Sequence, residues 1–257
     1  MDDVTVGVLA ALALAAFAAG WTDAVVGGGG LIQLPALLIA FPQAAPVQLL
    51  ATNKVGSIAG TTTSSITYAR RIRLDRRTVL PLAASAFAGS VVGAFIASAI
   101  PRSAFDPIIL VVLVLVGAYT VARPDLGSIT SLRLSGGRHV ATAAAIGFVV
   151  GVYDGALGPG TGSFFVVALV GLLGYGFLDG SARAKVANLM TNLAALVVFV
   201  PQGAVLWTVG LVLATFNVLG GYVGARTAVA RGSRFIRVVF LVVVAALALR
   251  IGYGLLT

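Results

Sequence analysis

The sequence predicts an all-α polytopic membrane protein made of two inverted-topology repeats. Each repeat holds about five hydrophobic segments, which gives about eight to ten crossings, with glycine-rich breaks near the membrane interior. Three observations predict this. The first is composition: of 257 residues, 59% are hydrophobic and only 10% charged, against about 25% charged in an ordinary soluble domain. The second is an internal repeat at a shift of about 131 residues, which lays Asp23 on Asp154, Lys54-Val55 on Lys185-Val186, and Gly89 and Gly93 on Gly220 and Gly224. One insertion then lays Gly30 on Gly162. The third is that equivalent loops in the two halves differ in charge.

Taken in order, Val4–Thr22 is long enough for a first span and ends at Asp23. Its acidic start, Met1-Asp2-Asp3, lacks the positive character of a cleaved signal peptide, so the run reads as a retained helix. Leu31–Phe41 holds about eleven residues between a glycine run and Pro42. At about 1.5 Å rise per residue it is short for an ideal crossing, so it reads as a half-helix or as a crossing completed by irregular backbone. Val47–Ala69 is polar for a span and leads into the most basic loop, residues 70–77. Thr78–Ile100 and Phe105–Val121 complete the first half, residues 1–122. Residues 123–138 form a basic linker, and residues 139–257 repeat the layout. The second-half segments are Val140–Tyr153, Ser163–Phe177, Ala182–Val200, Val205–Ala225 and Phe235–Leu256.

The loop after the third segment carries Arg70, Arg71, Arg73, Arg76 and Arg77, whereas its counterpart Pro201-Gln202-Gly203-Ala204 is uncharged. The next loop has Arg102 alone, and its counterpart carries Arg226, Arg231, Arg234 and Arg237. Basic loops mark the cytoplasmic side, so equivalent loops lie on opposite sides and the repeats are inverted. An odd number of segments per repeat leads to the same answer. Loops 70–77, 123–138 and 226–237 are therefore expected in the cytoplasm, with both termini outside.

The glycine breaks direct attention to function. Asp23-Ala24-Val25-Val26-Gly27-Gly28-Gly29-Gly30 and Asp154-Gly155-Ala156-Leu157-Gly158-Pro159-Gly160-Thr161-Gly162 each place an acid at the end of an apolar run before a glycine-rich stretch. Irregular backbone at membrane depth is tolerated only against protein or a water-filled cavity. Two such breaks in matching positions point to a transporter binding site. On the third segment of each half, Lys54, Ser57 and Thr61 match Lys185, Asn188 and Asn192 at i, i+3, i+7, which is one helix face. The candidate substrate-binding residues are these six with Gly29, Gly30, Gly160, Thr161 and Gly162. They read as an anion site: helix N-termini attract anions, lysines add positive charge, and amides and hydroxyls donate hydrogen bonds. Each lysine is read equally well as a residue reaching to the interface from a segment start. Asp23 and Asp154 are the candidate proton-coupling groups; capping a break or pairing with a lysine is the competing role.

Other motifs carry less. Gly89 with Gly93, and Gly220 and Gly221 with Gly224, fit close helix packing. Trp21, Trp207, Tyr153 and Tyr222 read as interface anchors. The lone His139, at a loop–membrane boundary, has no neighbours for a metal site, and there is no cysteine. The net charge of +9 reflects loop arginines rather than nucleic-acid binding. No P-loop, Ser/His/Asp or HExxH pattern is present, so the chain reads as a non-enzyme without a cofactor.

The chain resembles the TauE/SafE family, the sulfite exporter or sulfonate uptake permease family of membrane transporters. The resemblance rests on Gly27–Gly30 followed by Pro35, on Ala51-Thr52-Asn53-Lys54-Val55, and on Gly158-Pro159-Gly160-Thr161-Gly162-Ser163-Phe164. Lys185-Val186-Ala187-Asn188-Leu189 and Thr191-Asn192-Leu193 complete it. It implies an inner-membrane protein with two homologous halves that moves small sulfur-containing or related organic anions. The expected function is secondary transport of such anions by alternating access, with the proton as coupling ion. An anion channel of the same architecture and a non-transporting scaffold subunit are the alternatives. The expected partners are the small anion, the lipid bilayer and the proton.

Overall fold

The computed structural model describes residues 6–97 and 127–256, and all of the regular structure there is helical. The expected segment Phe105–Val121 lies outside the described residues. Helix α1 is Val6–Val26, α2 Gly30–Ala40, α3 Pro46–Ala69 and α4 Arg76–Ala97. After an irregular stretch, α5 is Gly136–Ala156 and α6 is Thr161–Ala168, continued by a π-helical turn, Leu169–Leu173. Helix α7 is Phe177–Phe199, and α8 is Trp207–Leu256. Four of these, α1, α4, α5 and α7, are long and apolar enough to cross a membrane by length and composition.

The elements follow from local chemistry. Helix α2 has eleven residues, the expected length, and lies one position earlier than the expected Leu31–Phe41. Helix α3 opens with Pro46 at its first position, and the Gln48 side chain accepts from the Ala45 amide at 3.1 Å; proline is well suited there because its missing N–H would have no partner. Helix α7 begins at Phe177, five residues before the expected Ala182. Helix α5 begins at Gly136, inside the stretch read as linker. The expected last two segments join through α8, whose backbone breaks at Gly232 with φ 71° and ψ −169°.

Small residues decide which helices approach. Gly89 and Gly93 of α4 lie against the backbone of Phe148 and Val152 on α5, with no room for a Cβ. Gly220 and Gly224 of α8 lie in the same way on Phe17 and Trp21 of α1. Helix α3 packs against α7 and α8, and α4 against α7. Two apolar clusters result. One joins Tyr68, Leu82, Phe165, Phe177 and Phe240 and is flanked by Ile72 and Leu74 of the basic loop. The other joins Leu12, Leu37, Leu49, Phe199 and Leu213 and is flanked by Val47 and Leu206. The polar centre of the molecule lies between them.

Candidate functional site

The two glycine breaks meet. Gly27 and Gly158 both follow the end of a helix and both have φ +87°, a conformation other residues adopt at a cost of about 1–2 kcal/mol. A Cβ on Gly27 would collide with the Gly162 backbone, and one on Gly162 with that of Gly27. The Ser163 amide donates to the Gly27 carbonyl at 3.2 Å, and the Ser163 hydroxyl donates to Val26 O at 2.9 Å. Two tyrosines hold the ends of the breaks: Tyr68 donates to Ala24 O at 3.0 Å, and Tyr153 to Pro159 O at 2.7 Å. Tyr153 is thus part of the interior rather than an interface anchor, because its ring also stacks edge-on against Phe164.

Around this junction the lysines and aspartates pair across the molecule. Lys54 Nζ of α3 donates to Asp154 Oδ2 of α5 at 2.6 Å, and Lys185 Nζ of α7 donates to Asp23 Oδ2 of α1 at 3.1 Å. Lys185 also donates to the Asp23 carbonyl. Side-chain exposure is 3% for Lys54, 2% for Asp154 and 0% for Lys185. Interface snorkelling is therefore wrong for both lysines. Each is the ninth residue of its helix, as Pro46 and Phe177 start them, which is about 12 Å in from the helix start at 1.5 Å per residue. Thr161 donates to the other carboxylate oxygen, Oδ1 of Asp154, at 2.6 Å. Asp154 thus pairs with a lysine and also anchors the first residue of α6.

A narrow cavity lies beside these pairs, with room for about one water molecule. The first half lines it with Asp23, Gly27, Gly30, Asn53, Lys54 and Ser57. The second half contributes Asp154, Gly158, Gly160, Thr161, Gly162, Asn188 and Asn192. Most of the sequence-predicted residues therefore converge. Three do not reach its wall. Gly29 packs on Ala19 and Asp23. Thr61 donates to Ser57 O at 2.8 Å and receives Asn192 Nδ2 at 3.4 Å. Lys185 stands behind Asp23. Asn53, Gly27 and Gly158 were not among the candidates. Asn53 is 4% exposed and its Oδ1 has no hydrogen-bond partner; its i, i+4 relation to Ser57 is the signal that could have found it.

The groups gathered here are mostly hydrogen-bond donors and a cation. An ammonium has three donors, and Lys54 uses one on Asp154. Gly30, which opens α2, and Thr161 and Gly162, which open α6, border the same space, where the dipole of a helix start favours negative charge, while the Leu31, Ile32 and Ser163 amides already donate to backbone carbonyls.

A second polar cluster closes the basic end. Arg183 of α7 donates from Nε to Asp75 Oδ1 at 2.8 Å and stacks 4.1 Å over the Tyr175 ring. The Thr78 hydroxyl meets His139 Nε2 and the Tyr175 hydroxyl at 2.7 Å each. His139 is buried rather than at a boundary, at 5% exposure, and its Nδ1 is unpartnered. Among the described residues no group of acids and histidines could hold a metal. Burial pushes the Asp75 carboxyl up, but the Thr78 hydroxyl and the Arg183 guanidinium outweigh it and hold it below the usual carboxylate range.

No solved structure matches the chain. Among curated proteins it is 38% identical over 98% of its length, and 95% of the relative's, to a probable membrane transporter protein, ORF9, of Sinorhizobium. It is 33% identical over 91% of both chains to a probable membrane transporter protein of Haemophilus influenzae. To the probable membrane transporter protein YfcA of Escherichia coli K12 it is 32% identical, over 95% of this chain and 90% of that one. The profile of the sulfite exporter TauE/SafE family matches residues 12–251. The chain belongs to the TauE/SafE family of membrane transporters.

Proposed function

We propose that the protein is a proton-coupled secondary transporter of small anions, with sulfite and short sulfonates as its first substrates. The observation that carries this is the buried Lys54–Asp154 pair beside a narrow cavity rimmed by amides and hydroxyls. Two lysines and two aspartates, paired with one another, make the centre neutral. A bound monoanion adds one negative charge where burying an unpaired charge costs several kcal/mol. The anion displaces Asp154 from Lys54, and a proton on the displaced carboxylate restores neutrality. One proton would then accompany each monoanion.

Alternating access fits the same geometry. One apolar cluster and the Asp75–Arg183 cluster lie on the basic side of the cavity, and the other apolar cluster lies on the far side. Opening one side at a time would move the anion past the junction of the two breaks. The inverted repeat, residues 1–122 against 139–257 about linker 123–138, supplies the symmetry for such an exchange. The reciprocal contacts α1 with α8 and α4 with α5, and the crossed Lys–Asp pairs, support that reading. On it the basic loops face the cytoplasm and the host bilayer is the inner membrane.

The test is uptake of labelled sulfite and a sulfonate panel into proteoliposomes, with and without a pH gradient. Saturable flux driven by the gradient and lost in Lys54→Ala is expected. Asp154→Asn removes the competing carboxylate, so it is expected to bind sulfite more tightly and to lose the response to the gradient. Unaltered flux and pH response in Asp154→Asn would refute the coupling, and channel-like currents in bilayer recordings would refute the transporter.

A further inference from the structure

Three arginines converge on a groove away from the cavity, at the basic end of the molecule. The groove has a volume of about 370 Å³ and runs between the end of α3 and the middle of α8. Arg70 and Arg71 stand on one side, Arg226 and Tyr222 on the other, with Thr67 and Val229 also lining it. Among the described residues no carboxylate pairs with any of the three arginines. The contrast with Arg183 is plain, since that arginine is held by Asp75. Arg226 donates to the Tyr222 hydroxyl at 2.9 Å, which leaves the phenolic O–H free to donate into the groove. Three guanidiniums and a phenol facing one space form a donor set for a phosphate, whose oxygens take the paired N–H groups of arginine.

What lies next to the groove selects the source of the phosphate. Both α3 and this part of α8 run toward the basic loops. One turn back from the groove they expose Ile66 on α3 and Leu219 and Val223 on α8, at 49%, 50% and 44%. An apolar track therefore leads from the arginines toward the membrane interior. Free inorganic phosphate has no use for that track; acyl chains do. The pocket volume falls within the range of small-molecule sites.

We infer that this groove is a binding site for the headgroup phosphate of an anionic phospholipid of the leaflet facing the basic loops, with the acyl chains lying along Ile66, Leu219 and Val223. The site is independent of the anion cavity and does not rest on the transport reading. It differs from the general preference of basic loops for one leaflet, which needs no groove.

The experiment is lipid retention by the purified, delipidated full chain, read by native mass spectrometry after addition of phosphatidylglycerol or phosphatidylcholine. A groove variant, Arg70→Gln/Arg71→Gln/Arg226→Gln, is compared with Arg76→Gln/Arg77→Gln/Arg234→Gln, which removes the same charge from neighbouring exposed positions outside the groove. Removing three phosphate contacts is expected to lower phosphatidylglycerol affinity by about tenfold or more, while the control stays within about twofold of the native chain. Phosphatidylcholine is expected to bind weakly and alike in all three. Millimolar inorganic phosphate is expected not to displace the lipid. Equal loss in both triple variants would reduce the effect to surface charge and overturn the site, as would no loss in the groove variant. Displacement by inorganic phosphate would assign the groove to the free ion and overturn the lipid. If the triple groove variant does not fold, Arg226→Gln and Tyr222→Phe decide: retention within twofold of native in both refutes the proposal, and a selective fall for phosphatidylglycerol supports it.

Discussion

At the scale of single residues, the Lys54–Asp154 pair sets what the centre of the molecule tolerates. Breaking a buried pair by removing one partner leaves an uncompensated charge and costs about 3–5 kcal/mol, whereas replacing both partners is often near neutral. Lys54→Met is therefore expected to lower thermal stability in detergent sharply, and Lys54→Met with Asp154→Asn to recover most of that loss without recovering flux. A melting series on the three proteins checks this; a double variant no more stable than the single would show that the pair contributes by packing rather than charge. The sequence placed both lysines and both aspartates in matching positions but not their partners. Repeat matching finds equivalent residues within each half, while these contacts cross from one half to the other. It also set Lys185 too near a helix start, because the expected segment opens at Ala182 whereas α7 already begins at Phe177. Asn53 was lost because a strict i, i+3, i+7 stripe selects one face and Asn53 lies beside it.

Among the elements, the breaks and their glycines admit a sharper test. Gly27→Ala must accept both a left-handed backbone and a collision with Gly162, so it is expected to prevent folding or to abolish transport. Gly137→Ala, near the start of α5, meets nothing within 4 Å, and replacing a helical glycine by alanine gains up to about 1 kcal/mol. Expression and melting temperature of the two variants check the contrast. The length of α2 and the positions of the breaks were legible because glycine and proline punctuate the chain. The meeting of the two breaks was not, since it depends on how α1 and α6 pack. The Asp75–Arg183 contact, which joins the loop before α4 to α7, carries a pH signature. A carboxyl held below its unfolded value of about 3.9 contributes stability above that value and loses it as pH falls through the native one. Arg183→Gln removes one of the two groups that lower it. The acid limb of a melting-temperature profile is expected to shift upward in pH, with little shift of its midpoint in Arg76→Gln.

For the whole molecule, the narrow cavity between two apolar clusters is too small for a sulfur oxyanion, since it holds about one water. Binding such an anion requires the cavity to widen, and alternating access requires that one cluster part while the other stays packed. The absence of native cysteine makes this directly measurable. Ser57→Cys and Asn188→Cys each place a single thiol on the cavity wall, one from each half. Alternating access predicts that a membrane-impermeant thiol reagent labels each position from either side, at a rate that substrate changes. Lys54→Met combined with either cysteine should abolish any substrate effect on labelling, because the anion then has no ammonium to compete for. Labelling of both positions from one side only, whatever the substrate, would mean that the second cluster never opens. The reciprocal contacts of α1 with α8 and α4 with α5 would then belong to a static scaffold. Labelling from both sides, coupled to substrate at both positions, would make those same contacts the surfaces that move.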